Sequence, residues 1–291
     1  MMSIDTTATS VLPEKPDHLA PHDELHIYYI QGRIVDGLLP NNKEFIGNWE
    51  EGDFSFLFFS TPADEEVARI VSRQPSLILL DCYRMPYVQW LGEELRPFSV
   101  GGFHILPPWE ESRVAGAGDN RKIVLDPGVV FGTGTHATTH DCLEALQQLC
   151  YKQKIETVLD LGTGTGLLAI AACRLNCRRV LAVDLNFLAA RTARRNAALN
   201  GMTDRILVAQ GRAEDFMDRP ADLMISNIHY DVMKELIGSA GFAHHRWFIL
   251  SGLMRSQARA VSEQLKKLPV TVLKTWERDG IWHTFFGKGL G

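Results

Sequence analysis

Val158-Leu159-Asp160-Leu161-Gly162-Thr163-Gly164-Thr165-Gly166-Leu167-Leu168 reads as a short apolar strand, a glycine turn and the start of an apolar helix. Glycine at every second position lets the backbone turn sharply and admits a ligand where a Cβ would otherwise stand. The helix behind the turn directs unpaired N–H groups and a partial positive charge over it. Asp160, just ahead of the glycines, adds a carboxylate that repels a phosphate and attracts an ammonium. A second acid, Asp184, ends the next apolar strand (180–183), where it can accept both hydroxyls of a ribose. A carboxylate, an ammonium and a ribose in one ligand describe S-adenosylmethionine. The nicotinamide fingerprint G-x-G-x-x-G fails, because Leu167 stands where its third glycine belongs. No G-x-x-x-x-G-K-[ST] occurs, so a triphosphate loop is not expected. A bare strand–turn–helix also serves packing alone; the two acids favour the methyl donor.

The chain has 291 residues, 45% hydrophobic and 22% charged, with a formal net charge of −5. That suits one large or two modest domains with a full core. Mild acidity opposes binding nucleic acid by phosphate neutralisation and suits a basic protein as partner. The five cysteines (Cys82, Cys142, Cys150, Cys173 and Cys177) form no C-x-x-C pair. Neither a disulfide framework nor a metal site is expected, and the compartment indicated is the reducing cytoplasm. No apolar run approaches the roughly 20 residues that cross a bilayer. A monomer is the expected state. Residues 1–20, polar and proline-dotted, read as a disordered tail.

Residues 21–106 read as a small α+β domain that binds something or covers the other domain, ferredoxin-like by its alternation, with strands at 25–30, 53–60, 76–83 and 100–106. A helix follows Thr61 as cap with Pro62 at the first helical position. Pro107-Pro108 and the glycine-rich stretch 114–120 mark a linker, 107–122. From residue 123 to 291 the texture is that of a doubly wound parallel sheet. Its helices fall at 139–149, 187–199 and 230–238, and its strands at 179–184, 206–209, 223–226 and 247–251. Asn186 is the N-cap and Asn200-Gly201 the C-cap of the long helix 187–199. The stretches 270–276 and 282–287 flank Arg278-Asp279-Gly280, an antiparallel hairpin signal that departs from the nicotinamide-binding pattern.

Methyl transfer is an in-line displacement at a sulfonium carbon, so a protein catalyses it mainly by positioning. Ligands of open parallel sheets sit beyond the carboxyl ends of the strands. Asn227 closes the strand at 223–226, where its amide oxygen or a backbone carbonyl can accept a hydrogen bond from an attacking nitrogen; asparagine also ends strands as a plain turn residue. His229 and Tyr230 follow it as a proton shuttle or as pocket lining. The loop Asp126-Pro127-Gly128-Val129-Val130-Phe131-Gly132-Thr133-Gly134-Thr135-His136-Ala137-Thr138-Thr139 carries three glycines and four threonines ahead of a helix. It is able to fold over a ligand, with Thr138 or Thr139 capping the helix and offering a hydroxyl to the donor's amino-acid end. Glu214 and Asp215 follow the third strand, where an acid meets an adenine amino group; a surface acid pair is the plainer reading. Arg191, Arg194 and Arg195 read as a solvated helix face.

The stretches 125–128, Phe131 to His136 and Thr138-Thr139 together resemble the signature of the PrmA family, methyltransferases of large-subunit ribosomal protein eleven. The resemblance runs from about Pro86 to the C-terminus through the Asp160 turn, Asp184, residues 196–201, Ser226-Asn227-Ile228 and Leu250-Ser251-Gly252. It implies a class I S-adenosylmethionine-dependent methyltransferase that trimethylates lysine ε-amines and the N-terminal amine of that protein. It also implies an N-terminal domain that grips the substrate and a linker that re-aims the catalytic domain. By the same resemblance Thr139, Gly162, Asp184 and Asn227 contact the donor, alongside Thr135, Thr138, Asp160, Gly164 and Glu214 as candidates. Ala137 stands where the family has proline, Asn186-Phe187 where it has aspartate-proline, and His229-Tyr230 where it has leucine-alanine. The last departure touches the acceptor side and leaves another protein, an RNA or adenine base, or a small molecule as alternative acceptors. Adenine and RNA enzymes carry Asn-Pro-Pro-aromatic there, and Ile228-His229 replace both prolines.

Overall fold

The computed structural model describes residues 23–92, 95–113 and 120–290, so the expected tail at 1–20 and most of the glycine-rich stretch at 114–120 lie outside the described residues. The N-terminal unit contains β1 (Glu24–Gln31), β2 (Phe45–Glu51), β3 (Phe54–Phe59), α1 (Asp64–Arg73), β4 (Ile78–Pro86) and the short α2 (Tyr87–Leu91). Its sheet runs β2-β3-β1-β4 with every neighbour antiparallel. That is the order of a ferredoxin-like split β-α-β fold, here with a 3-10 turn at Asp36–Leu38 in place of the first helix. Val67 and Ile70 of α1 bury against Tyr28, Ile30, Leu57 and Phe59 on one sheet face. The helix starts at Asp64, later than the Thr61-Pro62 reading, because the Tyr28 hydroxyl accepts the Ala63 N–H at 2.7 Å and a tertiary partner replaces the cap.

The sequence reading passed over β2. Its Gly47 marks a close approach: a Cβ there would lie 2.6 Å from the Leu188 side chain. The second face of the sheet is buried too. Leu25, Ile27 and Phe58 pack with Val129, Val130, Leu188 and Ala189 of the C-terminal unit.

Residues 100–106, read as one strand of the first domain, fall in two: β5 (Phe98–Val100) and β6 (Phe103–Leu106). Gly101 and Gly102 take φ of 54° and 74° between them and turn the chain back on itself. β6 then pairs in parallel with β7 (Lys122–Val124), and Phe103, Ile105 and Ile123 join the C-terminal core. Local sequence shows a strand there; only the packing partner shows which core owns it.

The main sheet has seven strands. In chain order they and their helices are α3 (Ala137–Lys152), β8 (Thr157–Leu161), α4 (Leu167–Arg174), β9 (Arg179–Asp184), α5 (Phe187–Leu199), β10 (Ile206–Gln210), β11 (Leu223–Asn227), α6 (Tyr230–Gly238), β12 (Trp247–Met254), α7 (Arg255–Leu265), β13 (Val270–Arg278) and β14 (Trp282–Gly289). The order is β10-β9-β8-β11-β12-β14-β13, parallel through β12 and antiparallel at β14 and β13. Residues of α3 and α4 fill one face and residues of α6 and α7 the other, which is why the central strands are apolar on both sides. The hairpin turn is the expected one, with Asp279 at φ 54° and Gly280 at φ 66°.

Two asparagines on α5 fasten the entry to the catalytic unit. Asn196 is fully buried; its Oδ1 accepts the Asp126 N–H at 2.9 Å, and its Nδ2 donates to the Asp126 and Thr165 carbonyls, each at 2.9 Å. One turn later Asn200 repeats the motif on Val124, accepting its N–H at 3.0 Å and donating to its carbonyl at 2.7 Å. Asn196→Ala leaves three buried backbone groups unpaired, each worth about 1–3 kcal/mol. We expect it to lower the unfolding free energy by about 3 kcal/mol in a urea titration; a loss under about 1 kcal/mol would remove the clamp from the account.

Candidate functional site

Strand order reverses between β8 and β11, and at such a switch point the strand ends open a crevice. Gly162, Gly164, Asp184 and Asn227 all stand on that rim. Gly162, Gly164 and Gly166 hold φ of 75°, 55° and 83°. A Cβ on Gly164 would come within 2.6 Å of the Phe131 carbonyl, and one on Gly162 within 2.7 Å of Ile228. The turn is therefore pressed between the threonine loop and the end of β11, and only glycine fits.

Asp160 lies beneath the turn. It is 1% exposed, its Oδ2 accepts the Thr163 hydroxyl at 2.6 Å, and the Ala169 N–H at the start of α4 also bonds it. Burial pushes its pKa up to about 6, against the pull of those hydrogen bonds. Asp184 is half-buried; Oδ2 accepts the Gly164 N–H at 2.9 Å and Oδ1 the Asn186 N–H at 3.0 Å. Burial raises its pKa as well. Each carboxylate oxygen keeps a second lone pair.

The threonine loop docks on the turn through Thr165, whose N–H donates to the Phe131 carbonyl at 3.2 Å and whose hydroxyl donates to the Gly132 carbonyl at 2.7 Å. Neither Thr138 nor Thr139 caps α3. The cap is His136, whose Nδ1 accepts the Thr138 N–H at 3.3 Å, so α3 starts at Ala137 and both threonines lie in its first turn. That shift aims their hydroxyls at Asn227: its Nδ2 donates to Thr138 Oγ1 at 3.3 Å and Thr139 Oγ1 at 3.5 Å. Asn227 Oδ1 stays clear of those bonds, and a Cβ on Gly252 would stand 3.0 Å from it.

Other candidates lie further out. Thr135 shares its hydroxyl with Thr133 at 2.8 Å. Glu214 sits beyond the end of β10 in an ion pair with Arg212 at 3.2 Å. His229 is exposed and precedes the first turn of α6, which Tyr230 begins. Of the arginines read as a solvated face, Arg191 donates to the Ile46 carbonyl and Arg195 pairs with the buried Asp126 at 3.0 Å. His136, Asn196 and Ser251 are site residues that local sequence reasoning did not single out by role, since their partners are remote in the chain. Among the described residues no cluster of three or more His, Cys, Asp or Glu side chains could hold a metal, and no helix is long and apolar enough to cross a membrane.

The family model for ribosomal protein L11 methyltransferase (PrmA) matches residues 87–289. The ribosomal protein L11 methyltransferase of Anoxybacillus flavithermus is 36% identical over 188 residues, 64% of this chain and 59% of that protein. The one from Clostridium botulinum (strain Eklund 17B) is 34% identical over 257 residues, 82% of this chain and 80% of that protein. The match thus spans about three fifths of the length of the first relative and four fifths of the second. The solved structure of ribosomal protein L11 methylase from Lactobacillus delbrueckii subsp. bulgaricus superposes with a TM-score of 0.55 at 29% identity, covering 65% of this chain and 95% of that one. The matched span holds the threonine loop, the glycine turn, Asp184 and Asn227, and the chain belongs to the ribosomal protein L11 methyltransferase (PrmA) family.

Proposed function

We propose that this chain is an S-adenosylmethionine-dependent methyltransferase that modifies lysine and N-terminal amines of ribosomal protein L11 in the cytoplasm. The observation that carries it is the Asn227 amide, fixed by two threonine hydroxyls so that its oxygen is left for an incoming N–H. Residues of the crevice itself support this donor. The glycine cradle is closed to any side chain, and Asp184 retains lone pairs for a ribose diol. Asp160 and Asp184 lie close enough for the charge on Asp184 to raise the pKa of Asp160, a field that a cation relieves. When bound, S-adenosylmethionine supplies an electrophilic methyl on a positively charged sulfur.

The rest falls to the protein. An alkyl amine of pKa about 10.4 must shed a proton before its lone pair is available. Asn227 Oδ1 accepts one remaining N–H and thereby turns the lone pair along the line of displacement. Because Nδ2 is occupied by Thr138 and Thr139, the amide cannot present a donor to the amine instead. The substrate assignment rests on family membership and on the names of the relatives. His229 and Tyr230, which depart from the family pattern, keep another protein acceptor as the second reading.

Incubation of the protein with donor and purified L11 should add mass in 14-dalton steps, and Asn227→Ala should lower kcat about 100-fold. A donor-binding protein that leaves L11 unmodified moves the assignment to another acceptor. Asp184→Ala should raise the donor Kd at least about tenfold by calorimetry, the value of a charge-assisted hydrogen bond; unchanged affinity would overturn the ribose assignment. Both acids bind protons more tightly than free carboxyls, and a cationic donor favours their ionised forms. Donor affinity should therefore fall as pH drops from about 7 to about 5, through the Asp160 pKa of about 6. A flat profile would show that neither charge senses the donor.

A further inference from the structure

Two thiols meet at the foot of the catalytic unit, at the end of the sheet away from the crevice. Cys150 stands in the last turn of α3, and Cys177 lies in the corner between α4 and β9. Their sulfurs are 4.0 Å apart although 27 positions separate them in the chain. Both thiols are free; Cys177 is fully buried and Cys150 half-buried. Along α3, Cys150 stands about 18 Å from Thr138 at the helical rise per residue, so the pair is remote from the rim. The chain between the two sulfurs carries β8, the glycine turn and α4.

The backbone fixes one partner and leaves the other some freedom. α4 closes with Asn176 in the left-handed region at φ 72°, and the Cys177 N–H donates to the Ala172 carbonyl at 3.1 Å. Arg205 donates to the carbonyls of Cys173 and Cys177 and ties this corner to the start of β10. Cys177 is thereby held through its N–H and its carbonyl alike. Cys150 sits at a helix end, where turns fray. Closing 4.0 Å to a covalent bond takes a shift of about 2 Å, which falls to the α3 end.

The two thiols are unequal. The Cys177 S–H donates to the Cys150 sulfur, and with the Arg121 cation it draws the Cys150 thiol below its ordinary pKa against the effect of burial. The same contact, together with burial, pushes the Cys177 thiol up. Cys173, one helical turn before Cys177, is pushed up to about 11 by burial and keeps its proton. Thiolate is the reactive form of cysteine, so the attacking sulfur of this group is Cys150.

We propose that Cys150 and Cys177 are a peroxide-reactive pair, in which Cys150 is the site of oxidation and Cys177 closes a reversible disulfide between α3 and the α4–β9 corner. The pair lies outside the methyl-transfer site and does not depend on that reading. The Cys150 thiolate attacks one peroxide oxygen, the O–O bond breaks, and the departing hydroxide takes up a proton as water. Cys150 is left as a sulfenic acid. The Cys177 sulfur then displaces its hydroxyl, which leaves with the Cys177 proton as a second water. Two thiols are oxidised to one disulfide, and one peroxide is reduced to two waters. The new bond encloses the glycine turn in a covalent ring without touching it.

The test maps the thiols of the whole protein. Wild-type chain is treated with a small excess of hydrogen peroxide, unfolded, alkylated and digested for mass spectrometry. A linked peptide pair should join Cys150 to Cys177 and disappear with dithiothreitol, while Cys142 and Cys173 are recovered alkylated. Cys177→Ser should stop at the Cys150 sulfenic acid, captured by dimedone, and Cys150→Ser should leave Cys177 reduced. The wild-type map carries the test if either variant fails to fold. Oxidation of the exposed Cys82 with Cys150 and Cys177 still reduced overturns the proposal, as does a bond from Cys150 to Cys173. The oxidised protein should also unfold at least about 3 °C higher, since the cross-link narrows the unfolded ensemble. An unchanged or lower midpoint would show that the bond is not accommodated by the native fold and overturn it.

Discussion

The Asn196 side chain is the joint on which the site depends. Two backbone segments from different parts of the chain, the start of the threonine loop at Asp126 and the glycine turn at Thr165, meet on one buried amide. A fully satisfied amide in a dry interior is rigid because every alternative leaves a polar group unpaired. The joint lets the Phe131 carbonyl rest against Gly164 with no room for a Cβ between them. It also explains why α5 matters beyond its length. The same helix carries the Asn186 cap bonded to Asp184, the Leu188 and Ala189 contacts to the N-terminal sheet, and the Asn200 clamp.

A loop with positive φ at Gly128, Gly132 and Gly134 loses much freedom when it adopts one shape. Here that cost is met by contacts from three directions. Besides α5, the N-terminal unit donates to it through the Tyr87 hydroxyl on the Gly128 carbonyl at 2.6 Å and the Trp90 indole on the Val129 carbonyl at 3.3 Å. Trp49 of β2 meets Phe131 edge-on at 6.0 Å. At its other end the loop meets the hairpin through His136 and Trp282. The N-terminal unit thus braces the start of the loop and the hairpin its end, and the crevice lies between.

Charge follows the same division. Asp160 lies under the turn and satisfies Thr163 and the start of α4, while Asp184 lies on the rim and orders the backbone on either side of itself. Both are acids that burial holds above their ordinary range. Asp141 is the contrasting case: it is as buried as Asp160, but an arginine faces it.

The main sheet was largely legible in the sequence because its strands and helices alternate with clean local signals. The glycine turn, the helix 187–199 with its asparagine cap and the Asp-Gly hairpin all follow from short-range chemistry, and so did the choice of Asp184 and Asn227 at strand ends. Non-local choices were not legible. Whether 100–106 joins the first core or the second depends on what lies opposite Phe103 and Ile105, and α1 begins where Tyr28 rather than Thr61 offers an acceptor. His136 took the cap that the threonines were expected to hold, because helix entry was set by the loop's docking on the turn. The amino-acid sequence by itself determined the alternation of the main sheet and the family, since those rest on residues close together in the chain. Only the tertiary structure decided what surrounds Asn227, because its neighbours come from α3, β12 and the terminal hairpin, and hydrogen bonds between them exist only once the sheet has closed.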